Sequence, residues 1–168
     1  MAGELQGDRV RLRRVADSDI ARLTVLAADP EIARWWGDND EDDIRMEVSA
    51  PRVLPWAIEV EDAVSGLVVA TEEPDPEYRS VELDIFLAAP LHDRGLGADA
   101  LRTALRHLFE ERDHHRALMA PAADNERAIR CYTRVGFRPV GIMRQADRAP
   151  DGRWRDALLM DLLAAELR

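Results

Sequence analysis

The sequence predicts a single α/β domain in which helices flank a mixed β-sheet. Its 168 residues fit one compact domain and leave no room for a second one. Segments rich in β-formers alternate with amphipathic helical segments, and no internal repeat or low-complexity linker divides them. We therefore assign residues 8–168 to one domain and residues 1–7 to a short N-terminal tail.

Alternation and capping residues mark the first predicted elements. Apolar residues alternate with arginines from Arg9 to Arg14, as in a strand with one buried face. Asp17 is placed to cap a helix, and Asp29-Pro30 marks the start of a second helix that stops at Gly37. The acidic run at positions 38–43 is interpreted as a solvated loop.

Three β-rich segments follow in the middle of the chain. We predict that Trp56–Val60 and Leu67–Thr71 form a hairpin through a connection at Asp62–Gly66. The third segment, Val81–Leu87, alternates apolar residues on one face with two carboxylates on the other. This alternation predicts a strand with one apolar face.

The C-terminal part is predicted to contain two helices and three strands. The first helix has one apolar face, and Asp124 and Gly136 are placed to cap the second. Asp151-Gly152 marks the turn between the last two strands. In order, these elements are the helix Gly95–Arg112, the strand Arg116–Met119, the helix Asn125–Val135 and the strands Phe137–Arg144 and Arg155–Leu162.

The charge balance excludes several classes of partner. The chain has 23 basic residues, all of them arginine, and 33 acidic residues, which give a formal net charge of −10. A chain this acidic is repelled by phosphate backbones, so we expect no nucleic acid and no membrane as a partner and favour a cationic ligand. The single cysteine and the absence of an apolar run of roughly 18 residues predict a cytoplasmic protein.

A glycine-containing loop before a predicted helix is the first candidate ligand site. Within Pro90–Ala98, Gly95 and Gly97 allow the backbone to curl and to approach a ligand closely. The first N–H groups of a helix have no internal partners, so this loop suits a pyrophosphate. A tight turn without a ligand is the alternative.

A second motif lies in the helix that follows. Its residues are Asn125, Ala128, Tyr132, Gly136 and Phe137. Together, in this strand order, the two motifs resemble those of the Gcn5-related N-acetyltransferase superfamily, which are written R/Q-x-x-G-x-G/A and N-x-x-A-x-x-x-Y-x-x-x-G-F. The second motif matches at every position. The first matches at Gly95 and Gly97 but has His92 in place of the usual Arg or Gln.

The resemblance implies a mixed, mostly antiparallel sheet with splayed central strands, and acetyl-CoA as the co-substrate. The loop would hold the pyrophosphate, and backbone N–H groups of the splayed strand would grip the pantetheine arm and polarise the carbonyl. The residues that it implies for this role are Ile85, Phe86, Leu87, His92, Asp93, Arg94, Gly95, Leu96, Gly97, Ala98 and Asn125.

Acetyl transfer to an amine requires a neutral amine and a proton for the leaving thiolate. Asp84 is the candidate base, because it is an acidic residue within an otherwise apolar strand. An Asp with an ordinary pKa of about 4 is a poor base for an ammonium, so either burial raises its pKa or it only binds the cation; we favour the second. Tyr132, with a phenol pKa of about 10, is the candidate proton donor. A solvent-facing Asp84 and a merely packed Tyr132 are the alternatives.

Two segments, Ile32–Gly37 and Arg127–Tyr132, are similar to aminoglycoside 6′-N-acetyltransferases within the superfamily. This similarity implies transfer to a small polycationic amine, with the aminoglycoside 6′-amine as the first candidate. Ala120 stands before Pro121 where that subfamily commonly has an acidic residue. The residues assigned to the acceptor are Trp35, Trp36, Asp38, Glu82 and Asp84.

Other functions stay open at this level. They are acetylation of a protein N-terminus, similar to the branch that acetylates ribosomal proteins, acetylation of another small amine, and a non-catalytic module that binds acyl-CoA. No metal site is expected, because the adjacent His114 and His115 would rarely converge on one ion. Cys131 has no neighbouring His that would activate it as a nucleophile. The oligomeric state is open, with a homodimer as one option.

Overall fold

The computed structural model describes residues 3–168 as one eight-stranded sheet with helices on both faces. The strands are β1 (Leu5–Gln6), β2 (Arg11–Arg14), β3 (Val53–Val60), β4 (Ala63–Glu73), β5 (Ser80–Leu87), β6 (Arg116–Met119), β7 (Arg138–Arg148) and β8 (Trp154–Leu163). The helices are α1 (Ile20–Ala27), α2 (Pro30–Trp36), α3 (Glu41–Ser49), α4 (Leu96–Glu110) and α5 (Glu126–Val135), with short 3₁₀ turns at Asp17–Asp19, Ala89–Leu91 and Ala164–Glu166.

The sheet is mixed and mostly antiparallel, as predicted. Its strand order is β1-β2-β3-β4-β5-β6-β8-β7, and only β5 and β6 run parallel. Their pairing is limited to Val81 with Ala117 and Glu82 with Leu118. Beyond Glu82 the strand β5 continues to Leu87 without a ladder partner on its β6 side, so the sheet opens into two halves at this point.

Two apolar cores cover the two faces of the sheet. Leu101 and Leu105 of α4 and Val135 of α5 belong to the larger core, on one face. Leu23 of α1 and Ile44 of α3 belong to the other core. Adjacent residues of β4 alternate between these cores, as expected for a strand buried on both faces. The open end of β5 is thus held between two rigid layers.

Several local predictions are confirmed. Asp29 caps α2 by accepting a hydrogen bond from Glu31 N, Pro30 is the first helical residue, and Gly37 ends the helix with a φ of 88°. Residues 116–119 form β6 with the predicted bounds. These signals are local to a few residues, which explains why they can be interpreted without tertiary information.

The N-terminal predictions need two corrections. Leu5–Gln6, assigned to a tail, form β1 and pair with β2. Asp17 caps no helix; it pairs with Arg45, and the 3₁₀ turn is closed by the Asp19 carboxylate, which accepts a hydrogen bond from Ala16 N. Met1 and Ala2, also assigned to the tail, lie outside the described residues.

The acidic run is a helix start rather than a loop. Asp40 accepts hydrogen bonds from Asp42 N and Asp43 N, while the Asp43 side chain accepts one from Asp40 N. This reciprocal cap begins α3, and acidic groups in the first turn interact favourably with the positive end of the helix dipole. The run therefore stabilises a helix that its composition did not reveal.

Two connections also differ from the prediction. The hairpin turns at Glu61-Asp62, which have φ values of 50° and 62°, and Gly66 lies within β4. Gly66 is needed there because a Cβ would collide with the carbonyl oxygen of Phe86 on β5. The cap of α5 is Asn125 rather than Asp124, since its side chain accepts a hydrogen bond from Ala128 N at 3.2 Å.

No helix within residues 3–168 has both the length and the apolar character that a membrane-spanning segment needs.

Candidate active site

The opening between β5 and β6 forms a cleft of about 270 Å³. Both halves of the sheet and helices from both of its faces contribute to its wall. The cleft is lined on one side by β5 and the loop that follows it, and on the other by residues after β6 and by α5. Asp84, Tyr132, Gly95, Gly97 and Asn125 all line it. The splayed sheet therefore brings the two sequence motifs together.

The loop before α4 presents a row of free backbone donors. Asp93 and Gly95 have left-handed φ values of 59° and 79°, which turn the chain sharply before the helix. The first hydrogen bond of the helix joins Asp99 N to Gly95 O at 3.1 Å. Within the described chain, the N–H groups from Asp93 to Ala98 have no backbone acceptor. Such a row of donors at the positive end of a 15-residue helix suits a pyrophosphate.

The open edge of β5 is dominated by donors. Phe86 O faces β4, where Gly66 leaves room for it, so the backbone groups of Ile85 and Leu87 face the cleft. The two carbonyls are already occupied: Trp36 Nε1 donates to Ile85 O at 3.1 Å, and His92 Nε2 lies 2.6 Å from Leu87 O. The N–H groups of these two residues therefore remain directed into the cleft, where they suit carbonyl oxygens of a ligand.

Asp84 projects from β5 on the opposite side from Leu83 and lies at the base of the cleft. Its side chain is accessible to solvent and lies within the concave surface that the cleft forms. Desolvation by the surrounding protein is the largest cause that raises the pKa of Asp84, and together with the negative charges of Glu82 and Glu47 it brings that pKa to about 7. The carboxyl group thus titrates near neutral pH.

Tyr132 lies on α5 at the other side of the cleft, and its side chain is buried. Burial raises its pKa well above the usual range of a phenol, with smaller contributions from the thiol of Cys131 and the carboxylate of Asp84. Its hydroxyl consequently keeps its proton at all ordinary pH values. The ring packs against Phe137 with 6.2 Å between centroids, which fixes its direction.

A second recess of about 240 Å³ adjoins the cleft on the α2–α3 side. Trp35, Trp36 and Asp84 line both cavities, and Asn39 and Glu47 line the recess alone. The recess thus places the side chains of Glu47 and Asp84 along one cavity.

The structure separates the other predicted acceptor residues. Asp38 is exposed and lines neither cavity, and Glu82 acts on Asp84 only through its charge. The ring of Trp35 already has the guanidinium of Arg34 at 4.6 Å from its centroid, so that face is not free for a cationic sugar. Trp36 packs edge-on against Phe86 at 4.8 Å.

Three of the residues predicted to bind the co-substrate make contacts with other parts of the protein. Arg94 is exposed and does not line the cleft, while its carbonyl accepts a hydrogen bond from Arg9. Phe86 turns its carbonyl toward β4, and its ring is buried in the α1–α3 core. His92 belongs to the loop Pro90–Ala98, which we call the phosphate loop, and its side chain contacts the carbonyl of Leu87 at the end of β5.

Sequence reasoning missed a basic stripe on α5. Arg127, Arg130 and Arg134 line the cleft and follow one another at spacings of three and four residues, which places them on one helical face. The spacing of three and four residues predicts one basic helical face, whereas the net charge of −10 gives no indication of such a local positive surface. The stripe adds cations beside the phosphate loop.

Arg155 and Asp147 were also missed, although both line the cleft. No local pattern marks them, because they lie on the exposed β7–β8 hairpin.

Within residues 3–168, no group of three or more His, Cys, Asp or Glu side chains is arranged to hold a metal ion.

Comparison with known proteins decides the family. The model of the acetyltransferase (GNAT) domain matches residues 9–138, which include the splayed strand, the phosphate loop and α5. The chain belongs to the GNAT family of acetyltransferases. It is therefore an acetyl-CoA-dependent N-acetyltransferase, and the resemblance predicted from the two motifs is confirmed.

Relatives of this acetyltransferase differ in what their names indicate. An aminoglycoside N(6′)-acetyltransferase type 1 of Klebsiella pneumoniae is 25% identical over 161 residues, covering 83% of this chain and 79% of the relative. The structure of RimJ from Mycobacterium smegmatis with CoA-disulfide has a TM-score of 0.83 at 25% identity and covers 98% of this chain and 88% of that one. AAC(6′)-Ib with ribostamycin and coenzyme A has a TM-score of 0.78 at 25% identity, with coverages of 95% and 97%.

The residues of this GNAT acetyltransferase fit its co-substrate. Acetyl-CoA carries a pyrophosphate and amide carbonyls, and the cleft offers free N–H donors on the phosphate loop and on the edge of β5, together with the basic stripe on α5. Gly97 has only Cys131 Sγ within 4 Å of the position of a Cβ, at 3.6 Å, which leaves its cleft side open to a ligand. Donors and charge are thus complementary to the ligand.

Proposed function

We propose that this enzyme N-acetylates a primary amine of a small polycationic acceptor, with the 6′-amine of an aminoglycoside as the first candidate. The observation that carries this proposal is the recess beside the cleft, because Glu47 and Asp84 both line it and the negative charge of Glu82 acts on Asp84. Two carboxyl groups that line one cavity, with a third negative charge nearby, attract cations. The aminoglycoside 6′-N-acetyltransferase among the relatives supports the first candidate.

The donor half of the site positions the acyl group. When bound, acetyl-CoA supplies the activated acetyl group as a thioester. The N–H groups of the phosphate loop hold its pyrophosphate, and those of Ile85 and Leu87 face the carbonyls of its pantetheine end. Both edge N–H groups belong to a strand held between two cores, so their direction is fixed before the ligand arrives.

Asp84 serves as the base for the acceptor ammonium. With a pKa of about 7 it is deprotonated in a large fraction of molecules at neutral pH, yet it is basic enough to take a proton from a nearby amine. This favours the base over the interpretation of Asp84 as a cation anchor alone, which the ordinary pKa of an Asp had suggested. The same carboxylate still attracts the charged amine before the proton is transferred.

Tyr132 serves as the proton donor for the leaving thiolate. Its hydroxyl remains protonated because burial raises the pKa, so it can donate a hydrogen bond to the sulfur as the C–S bond breaks and pass on its proton while it regains one from the attacking nitrogen. Asp84 and Tyr132 line the same cleft, with one proton acceptor and one proton donor. Each proton transfer thus has its own group.

The experiment measures release of free CoA with aminoglycosides, diamines and polyamines, and short peptides. We expect the highest kcat/KM for an acceptor with at least two positive charges. For that acceptor KM should rise when salt is raised from 0.02 to about 0.15 M, where the Debye length falls to about 8 Å, while kcat changes little. A monoamine of similar size is the control and should show a smaller salt effect. Preference for a neutral peptide N-terminus would instead favour the protein-acetylating alternative.

A further inference from the structure

Arg155 connects two walls of the active-site cleft that are far apart in sequence. It lies on β8, and its guanidinium donates to Arg34 O at 2.9 Å and to Trp35 O at 2.8 Å, at the end of α2. Its other donors contact Asp147 on β7 at 2.7 and 2.8 Å. Arg155 therefore joins the β7–β8 hairpin to the helix that carries both cleft tryptophans.

The carbonyls that Arg155 binds would otherwise lack partners. The last carbonyls of a helix have no acceptor role within it, so they need donors from elsewhere. In α2, Ala33 O accepts from Gly37 N and Trp36 O accepts from Asn39, which leaves Arg34 O and Trp35 O for Arg155. With a side chain only 17% exposed and hydrogen bonds on both sides, Arg155 is held firmly in place.

Behind this connection lies a third cavity. It is an outer groove of about 500 Å³ at the tip of the β7–β8 hairpin, lined by Trp154, Arg153 and Asp151 among others. Trp35 and Arg155 line both this groove and the cleft. The guanidinium of Arg155 also lies 5.9 Å from the centroid of the Trp35 ring. The side chains of Trp35 and Arg155 thus separate the two cavities, and we call these two side chains the partition.

We infer that Arg155 is a specificity-determining residue: together with Trp35 it closes the cleft toward the outer groove and limits the bulk of the acceptor next to its reacting amine. The inference rests on the proposed function, since it concerns the acceptor of the same transfer. With the partition in place, the acceptor approaches Asp84 through the acidic recess, and a multi-ring acceptor inserts only the ring with the reacting amine. Without the partition, cleft and groove merge, and acceptors that are bulky near the amine gain room.

The test compares two amines on the wild type, Arg155→Ala and Arg155→Lys. Spermidine serves as the slender acceptor and kanamycin as the multi-ring acceptor. We expect the kcat/KM for kanamycin relative to that for spermidine to rise about tenfold in Arg155→Ala, the range of a steric change in a pocket. Arg155→Lys should show a smaller rise, because lysine keeps the charge and part of the bulk but lacks the planar fork that spans Arg34 O, Trp35 O and Asp147. Arg153→Ala is the matched control, since Arg153 pairs with Asp151 and lines the groove alone.

A merely structural role of Arg155 would lower the activity on both amines by the same factor, and an unchanged ratio therefore overturns the inference. Hydrogen exchange gives a second measurement that needs no turnover. The amide of Gly37, bonded to Ala33 O, should exchange faster in Arg155→Lys than in the wild type, and equal exchange also overturns the inference. If the wild type acetylates no amine, the proposed function fails. The exchange measurement then still decides whether Arg155 holds the end of α2 in place, on which the partition depends.

Discussion

Nε2 of His92 lies 2.6 Å from the carbonyl oxygen of Leu87. A carbonyl can only accept a hydrogen bond, so Nε2 carries the proton and Nδ1 is the free ring nitrogen in neutral His92. The contact joins the start of the phosphate loop to the end of the open strand. It gives a specific role to a residue that departs from the family motif at this position.

His92→Ala should weaken acetyl-CoA binding. The substitution frees a carbonyl at the donor edge and releases the phosphate loop from β5, a loss of about 1 kcal/mol or roughly fivefold in Kd. Calorimetric titration with acetyl-CoA measures this change. His115→Ala, at an exposed position after α4, is the control and should keep the wild-type Kd. An unchanged Kd for His92→Ala would show that the contact is dispensable.

Gly97→Val should lower the affinity for acetyl-CoA by at least tenfold, because a branched side chain would fill the space beside the phosphate loop. Gly97 is a better test than Gly95, whose φ of 79° makes any side chain strained regardless of a ligand. Gly141→Val on the edge strand β7 is the control, since nothing lies within 4 Å of its Cβ position. Calorimetry on a folded Gly97→Val protein with wild-type affinity would contradict the placement of the pyrophosphate.

Tyr132→Phe should lower kcat on the order of 10²-fold and leave the Kd of acetyl-CoA nearly unchanged, because only the transition state needs the proton. Steady-state kinetics and a binding titration separate these two effects. The chain has one other tyrosine, Tyr78, which is 71% exposed and outside the cleft. Tyr78→Phe is therefore the matched control. A Tyr132→Phe enzyme with wild-type kcat would reduce Tyr132 to a packing residue.

The pH dependence of kcat/KM should show an acidic limb with an apparent pKa of about 7. The deprotonated carboxylate is the active form, so activity rises as the pH increases through this value. Glu82→Gln should shift the limb to lower pH, because it removes a negative charge that raises the pKa of Asp84. Asp84→Asn should abolish the limb and lower kcat. Glu110→Gln, exposed at the end of α4, is the control. A limb that persists in Asp84→Asn would assign the base to another group.

Asp84 should also make the fold less stable at high pH. Its pKa is about 7 in the folded state against a reference value of 3.8, so the folded state favours the protonated carboxyl. The stability that this group contributes is fully present below about pH 4 and is lost as the pH rises through 7. The difference in Tm between Asp84→Asn and the wild type should therefore grow from pH 4 to pH 8. Asp38→Asn, exposed and outside the cleft, is the control. A difference that does not depend on pH would contradict the raised pKa.

The sequence determined the parts of this protein that depend on neighbouring residues. The glycine loop, the motif on α5 and the start and stop of α2 were identified correctly, because caps, left-handed glycines and helical spacing act within one or two turns. The polar face of β5 likewise followed from alternation. Local errors, such as the acidic run that begins α3, arose where one composition suits both a loop and a helix cap.

The tertiary structure decided what these parts do together. Separation of β5 from β6 after Glu82 creates the cleft, and the surrounding protein together with the charges of Glu82 and Glu47 raises the pKa of Asp84, which no sequence pattern reveals. The hydrogen bond from Trp36 to Ile85 O spans 49 positions, and that from Arg155 to Trp35 O spans 120. The energies of such contacts depend on distances between elements that only the packing of both cores sets. The environment of the cleft is therefore a property of the assembled sheet, and residues such as Arg155 and Asp147 enter it without any local pattern in the chain.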